Sequence, residues 1–230
     1  MDAQNILECA ACWANCKQNS NGFLAPEIYW PRQQGRRDLM LVFETPGPPR
    51  QEKLQSLQRD LPSYLEYCRQ GMACWLHDDP VYSWVTSPVV EALGISPQES
   101  RGCFLEKVWV TDIVKATKYD SGKGIRNGWE KRRRADRCAK DFLEKEIAFA
   151  KPKLALFFAG TVAREVFGRE FRPIPLGGKN VPKVRSCSIE SHDYRFLSTY
   201  FPTRRNSQYW TNWENQRSRF IELIRKVVAG

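Results

Sequence analysis

Three cysteines near the start of the chain have the spacing of metal ligands. Cys9, Cys12 and Cys16 read C-x2-C-x3-C in a 230-residue chain. Thiolates at this spacing bind zinc or an iron–sulfur cluster. The first residues, MDAQNILECAACW, lack the basic and long apolar regions of a secretory leader. We therefore expect a cytoplasmic protein whose cysteines are metal ligands or reduced thiols rather than disulfides.

Basic side chains indicate a polyanionic partner. The chain has 36 Lys and Arg against 26 Asp and Glu, a net charge of +10, and such an excess is typical of nucleic-acid binding. The basic residues interleave with aromatics, which favours nucleic acid over a membrane surface. No apolar run approaches the roughly 20 residues that span a bilayer. A charged surface that serves only solubility is the alternative.

Four apolar segments predict the strands that must position these groups. They cover residues 38–43, 108–114, 153–160 and 195–200. The first three are short, continuous apolar runs between turn signals, as in buried parallel strands. Helices are predicted over 136–150, 161–168 and 212–228, the second of them capped by Thr161. Because strands alternate with helices, we expect one α/β domain over 1–230, a three-layer α/β/α fold with a central, mainly parallel four-stranded sheet.

Two carboxylates follow predicted strands. In an open parallel sheet, ligands bind outside the carboxyl ends of the strands. That rule selects four loops, at 44–50, 112–118, 160–161 and 201–206. The first begins at Glu44 and the second at Asp112, so we expect the two acidic side chains to face one cavity.

The order of these segments resembles the uracil-DNA glycosylase superfamily. LVFETPGPP is similar to the first motif, GEAPG in the iron–sulfur family-4 branch; Glu44, Pro46 and Gly47 are kept and Phe43 replaces the first Gly. VWVTDIVKATK is similar to the second segment, YITNVVKCRPP, and STYFPTRR stands in place of the HPS motif. The resemblance covers most of the chain, apart from an insertion at roughly 51–79.

The resemblance implies a DNA glycosylase that leaves an abasic site. Glu44 would position water and stabilise the sugar cation as the N-glycosidic bond breaks. Asp112 stands where the family has a base-reading Asn. A carboxylate only accepts hydrogen bonds, so it suits the exocyclic amine of cytosine better than O4 of uracil. We therefore expect a modified cytosine as substrate, with Pro46 and Gly47 also at the base; a purely structural Asp112 is the alternative.

The same resemblance implies a [4Fe-4S] cluster, with zinc as the alternative. Cys9 and Cys12 match the first pair of family cysteines, and Cys138 matches the last. Ala116 occupies the third position, so Cys16 would supply the fourth thiolate, or Cys103 in its place. The cluster would tie the N-terminal segment to the body of the protein.

The remaining expected site residues contact DNA or the base. Phe201 stands at the HPS histidine and cannot donate a hydrogen bond. The loop would enter the DNA as a wedge and clamp it, and a basic run would contact phosphates. These DNA-binding residues are Phe201, Thr203, Arg204, Arg205, Lys131, Arg132, Arg133 and Arg134. Tyr82, or else Trp84, would stack on the flipped base.

The function expected from the sequence is excision of a modified cytosine, such as glucosylated hydroxymethylcytosine in phage DNA, by a monomeric anti-phage glycosylase. Three alternatives stay open, one of which is an RNA-binding iron–sulfur protein. A uracil or deaminated-base repair glycosylase is disfavoured by Asp112, and a non-catalytic DNA-binding protein is favoured by the missing histidine at Phe201.

Overall fold

The computed structural model describes residues 23–26, 36–44, 63, 83–96, 100–119, 135–174, 183–189, 192–201 and 213–230. Seven strands lie in these ranges: β1 (Phe23–Pro26), β2 (Leu39–Phe43), β3 (Val108–Asp112), β4 (Ala116–Tyr119), β5 (Leu154–Phe157), β6 (Arg185–Ile189) and β7 (His192–Ser198). Five of them form one sheet in the order β3-β2-β5-β7-β6. The first four strands of that order are parallel, and β6 pairs antiparallel with β7. The predicted α/β class and mainly parallel sheet are confirmed, with one strand more than expected.

Helices cover both faces of this sheet because its central strands are apolar on both sides. Every residue of β2, β3 and β5 is buried. The helices are α1 (Ser83–Ala92), α2 (Ser100–Lys107), α3 (135–150), α4 (Gly160–Phe167) and α5 (Trp213–Ala229). Alternate residues of β2 enter two cores, one shared with α1, α2 and α5 and the other with α3 and α4. We call these the first and second faces of the sheet.

Helix α3 carries the buried stripe that packs on the second face. Its middle, Ala139–Leu143, is a π-helical turn, and Glu144–Ala150 continues as an α-helix. The helix ends at Ala150, whose carbonyl accepts a hydrogen bond of 2.9 Å from the Arg37 N–H just before β2. The end of α3 therefore lies at the amino edge of the sheet. Because a helix of about 16 residues is about 24 Å long, its start lies near the carboxyl edge.

Several elements differ from the sequence prediction. β6 was not predicted, because an edge strand pairs on one side only and RSCSI has no apolar run. β1 and β4 form a separate two-stranded antiparallel sheet; the sequence predicts neither of these strands, nor α2. Thr161 does not cap α4: the helix begins at Gly160, and the capping position is Ala159, which has no side-chain hydrogen bond. Within the described ranges, no helix is both long and apolar enough to cross a membrane.

Candidate active site

The strand order creates a crevice at the carboxyl edge of the sheet. In the sheet, β3 is the neighbour of β2 on the side away from β5, and β7 is the neighbour of β5 on the side away from β2. The chain therefore continues from β2 and from β5 in opposite directions across the sheet. Connections that leave in opposite directions open a gap between neighbouring strand ends, and ligands of α/β sheets bind there. This switch point lies between the ends of β2 and β5, so Glu44 borders it from one strand and Phe158 from the other.

Glu44 and Asp112 lie at the ends of adjacent strands. Phe43 is the register partner of Asp112. Pairing continues beyond both strands, because the Ile113 N–H donates to the Phe43 carbonyl at 2.8 Å and the Val114 N–H donates to the Glu44 carbonyl at 3.1 Å. The structure thus places the backbones of these two acidic residues side by side, and a shared cavity for their side chains stays a prediction.

The two carboxylates have different surroundings. Asp112 is 2% exposed, and by strand alternation it shares the first face with Val108 and Val110. Glu44 is partly exposed just past the end of β2. An exposed carboxylate can hold a water molecule, whereas a buried one acts in a medium of low dielectric where its hydrogen bonds are strong.

Three phenylalanines from three strand ends meet at the same edge. Phe43 stacks on Phe158 with ring centroids 5.5 Å apart, and Phe201 approaches Phe43 edge-on at 5.6 Å. Phe201 also contacts Phe158, at 6.4 Å. The half-buried Phe201 ring is therefore packed against the first-face core at the carboxyl edge of the sheet. Its expected entry into DNA as a wedge stays a prediction.

A buried polar network lies directly beneath this edge, and sequence reasoning missed it. The Lys115 ammonium donates to Glu146 Oε2 at 2.7 Å and also to the Thr111 hydroxyl, which in turn donates to Glu146 Oε2 at 2.6 Å. Lys115 is 2% exposed and Glu146 4%. One signal could have revealed it: Glu146 falls on the helical stripe of Leu143, Ile147 and Ala150, where an unpartnered charge is not tolerated.

Cys138 is the one expected cluster ligand within the described ranges. It is 4% exposed and lies in the first turns of α3, toward the carboxyl edge of the sheet. Cys103 instead packs on the first face from α2. Among the described residues, no group of three or more His, Cys, Asp or Glu could hold a metal ion.

Many of the expected site residues lie outside the described ranges. They are Cys9, Cys12, Cys16, Pro46, Gly47, Tyr82, Lys131, Arg132, Arg133, Arg134, Thr203, Arg204 and Arg205. The expected insertion at 51–79 also lies outside them, apart from residue 63. For Trp84, the structure gives only its place in the first turn of α1.

No family model matches this chain, and no curated protein matches it either.

Proposed function

We propose that this chain is a DNA glycosylase that hydrolyses the N-glycosidic bond of a flipped, modified cytosine. The observation that carries the proposal is the register of β2 and β3, in which Phe43 pairs with Asp112 and the Val114 N–H binds the Glu44 carbonyl. Two carboxylates of different exposure thus end adjacent strands beside the switch point of an open α/β sheet. The motif resemblance to uracil-DNA glycosylases gives these two positions their roles.

Glu44 would act at the sugar. Breaking the bond to the base builds positive charge on the ring, and a fixed carboxylate near the anomeric carbon stabilises that charge. The partial exposure of Glu44 leaves it able to orient an attacking water. Its carbonyl is held by Val114, which fixes the backbone from which the side chain projects.

Asp112 would act at the base. Its oxygens accept hydrogen bonds only, so they match the exocyclic amine of cytosine and not the O4 of uracil. At 2% exposure the carboxylate has little access to competing water, so a hydrogen bond that it accepts from the base would be strong. The aromatic cluster of Phe43, Phe158 and Phe201 lies on the same face of the sheet as Asp112 and would help to exclude water from the base.

A [4Fe-4S] cluster is part of this proposal. Cys138 fits a ligand position because it is buried near the carboxyl edge. The register of β1 with β4 pairs Pro26 with Ala116, and Cys16 is seven residues before Phe23, a reach of at most about 25 Å. An N-terminal thiolate can therefore approach this edge. The cluster's contribution would be structural, holding the N-terminal segment to the body.

DNA binding in this proposal depends on the net charge of +10. Lys131, Arg132, Arg133 and Arg134 would contact phosphates, as would Arg204 and Arg205 after β7. Affinity should then fall steeply with salt, with a slope of about −0.9 per phosphate contact in a plot of log affinity against log salt concentration.

The experiment is mass spectrometry of bases released from a panel of natural and phage DNAs. The proposal expects a free modified cytosine and an abasic site in the DNA. Release of uracil alone from uracil-containing DNA would instead indicate a repair glycosylase.

A non-catalytic DNA-binding protein is the second candidate function. It is favoured by Phe201, whose ring packs edge-on against Phe43 and cannot donate a hydrogen bond to a departing base. DNA binding without release of any base across the whole panel would establish this alternative.

A further inference from the structure

Lys115, Thr111 and Glu146 form a closed ring of hydrogen bonds between β3 and α3. The Lys115 ammonium donates to both partners, and the Thr111 hydroxyl donates to the same oxygen of Glu146 that Lys115 binds. The ion pair is 2.7 Å long, with side chains 3% and 5% exposed. The ammonium, the hydroxyl and Oε2 of Glu146 therefore bind one another inside the second-face core.

Such a network is a poor way to stabilise a fold. Desolvating two charges offsets most of their attraction, so apolar residues of similar volume usually serve stability equally well or better. The neighbouring positions on α3, Leu143, Ile147 and Ala150, are apolar and buried. A structural role alone would be filled by an aliphatic side chain, so the charges indicate a requirement for one fixed geometry.

The network stands at the point where the chain leaves the main sheet. Lys115 follows directly after Ile113 and Val114, whose N–H groups bind the carbonyls of Phe43 and Glu44. The next residue, Ala116, begins β4 in the separate two-stranded sheet. Holding the Lys115 ammonium against α3 thus fixes the end of the segment that carries Asp112 and ties down the backbone of Glu44.

We propose that Lys115 is a positioning residue that sets the placement of both carboxylates, acting through its buried bonds to Glu146 and Thr111. The consequence for catalysis rests on the glycosylase function proposed above. The consequence for backbone order does not.

The test replaces the whole ring with apolar residues of similar shape, in the variant Thr111→Val/Lys115→Met/Glu146→Leu. The matched control is Asp141→Asn, which breaks an exposed ion pair with Arg137 on the same helix. Hydrogen exchange is measured at the amides of Ile113 and Val114. The reference amides are Phe158, which binds the Val42 carbonyl at 2.8 Å, and Thr199, which binds the Phe157 carbonyl at 2.9 Å.

We expect the triple variant to fold, with exchange at Ile113 and Val114 at least about tenfold faster and exchange at the reference amides unchanged. On a modified-cytosine substrate, kcat should fall on the order of 100-fold with little change in KM, because small misplacements of reacting groups have effects of this size. The control should match the wild type in both measurements.

Each other outcome is decisive. Unchanged exchange at Ile113 and Val114 overturns the proposal, and so does a triple variant that cannot fold, because the network would then serve stability. Faster exchange with full activity overturns the catalytic consequence. Faster exchange in a protein whose wild type releases no base supports the positioning role and refutes the glycosylase function alone.

Discussion

Replacing Lys115 alone by methionine removes the positive charge from the buried network and leaves the Glu146 carboxylate behind. That carboxylate belongs to a residue only 4% exposed, so water cannot replace the lost ammonium. The Thr111 hydroxyl also loses the donor that it accepts from. The single substitution is therefore more damaging than removal of the entire network.

The expected cost follows from this burial. Breaking a buried ion pair by removing one partner costs about 3–5 kcal/mol. In a chain of this size, 1 kcal/mol shifts Tm by about 2–4 °C, so Lys115→Met should lower Tm by about 6–20 °C. The triple variant Thr111→Val/Lys115→Met/Glu146→Leu should recover to near the wild-type Tm or above it, since apolar replacement of a whole pair is neutral or stabilising.

Circular dichroism during heating and in urea measures both variants. Asp141→Asn is the control, because its partner Arg137 and Asp141 itself are about half exposed, and such a pair contributes about 0.3–0.5 kcal/mol. The reasoning is refuted if Lys115→Met is no less stable than Asp141→Asn, or if the triple variant is less stable than Lys115→Met.

Three further predictions concern the base, a buried phenol and the cluster. Asp112→Asn should acquire excision of uracil and lose about tenfold or more of its activity on modified cytosine, since an amide donates as well as accepts; oligonucleotide cleavage assays with each base measure both. Burial, together with the neighbouring Cys187, raises the pKa of Tyr194 above its ordinary value of 10.0. As pH rises through about 10, this phenol loses its proton in the unfolded chain before it does so in the folded protein. The free energy of unfolding of the wild type should therefore fall there by up to about 1.4 kcal/mol per pH unit from this group. Urea unfolding at pH 9 to 11 measures the fall, and Tyr194→Phe should lack this contribution. Cys138→Ser should lose iron by elemental analysis and the broad brown absorbance, whereas Cys187→Ser should keep both; equal iron in the two variants would contradict the ligand role.

The parallel strands were predictable because strands buried on both faces consist almost entirely of apolar residues. β2, β3 and β5 are continuous apolar runs, and each strand lies within its predicted segment. β7 was predicted over 195–200 and is observed over 192–198, because its first residues pair with β6 and need no apolar run. Short strands whose partner is distant in sequence, such as β1 with β4, carry no local signal.

The neighbourhood of Glu44 and Asp112 was predictable from one rule, that parallel strands end at one edge. The residues that each of them contacts were not predictable, because strand register and side-chain contacts depend on packing across the sheet. The bond between Lys115 and Glu146 joins positions 31 apart, and charged residues are ordinarily expected at the surface. The contact of Phe43 with Phe201 likewise joins two strand ends that are separated by most of the chain.

The catalytic role proposed for Glu44 is tested most directly by the single-turnover rate of base release by Glu44→Gln on the best modified-cytosine substrate. The matched control is Glu222→Gln, an exposed position on α5. That role predicts a fall of about 100- to 1,000-fold for Glu44→Gln with DNA affinity retained, since this is the typical effect of removing one group that stabilises developing charge. The control should show no change. Equal rates for Glu44→Gln and the wild type would contradict that role.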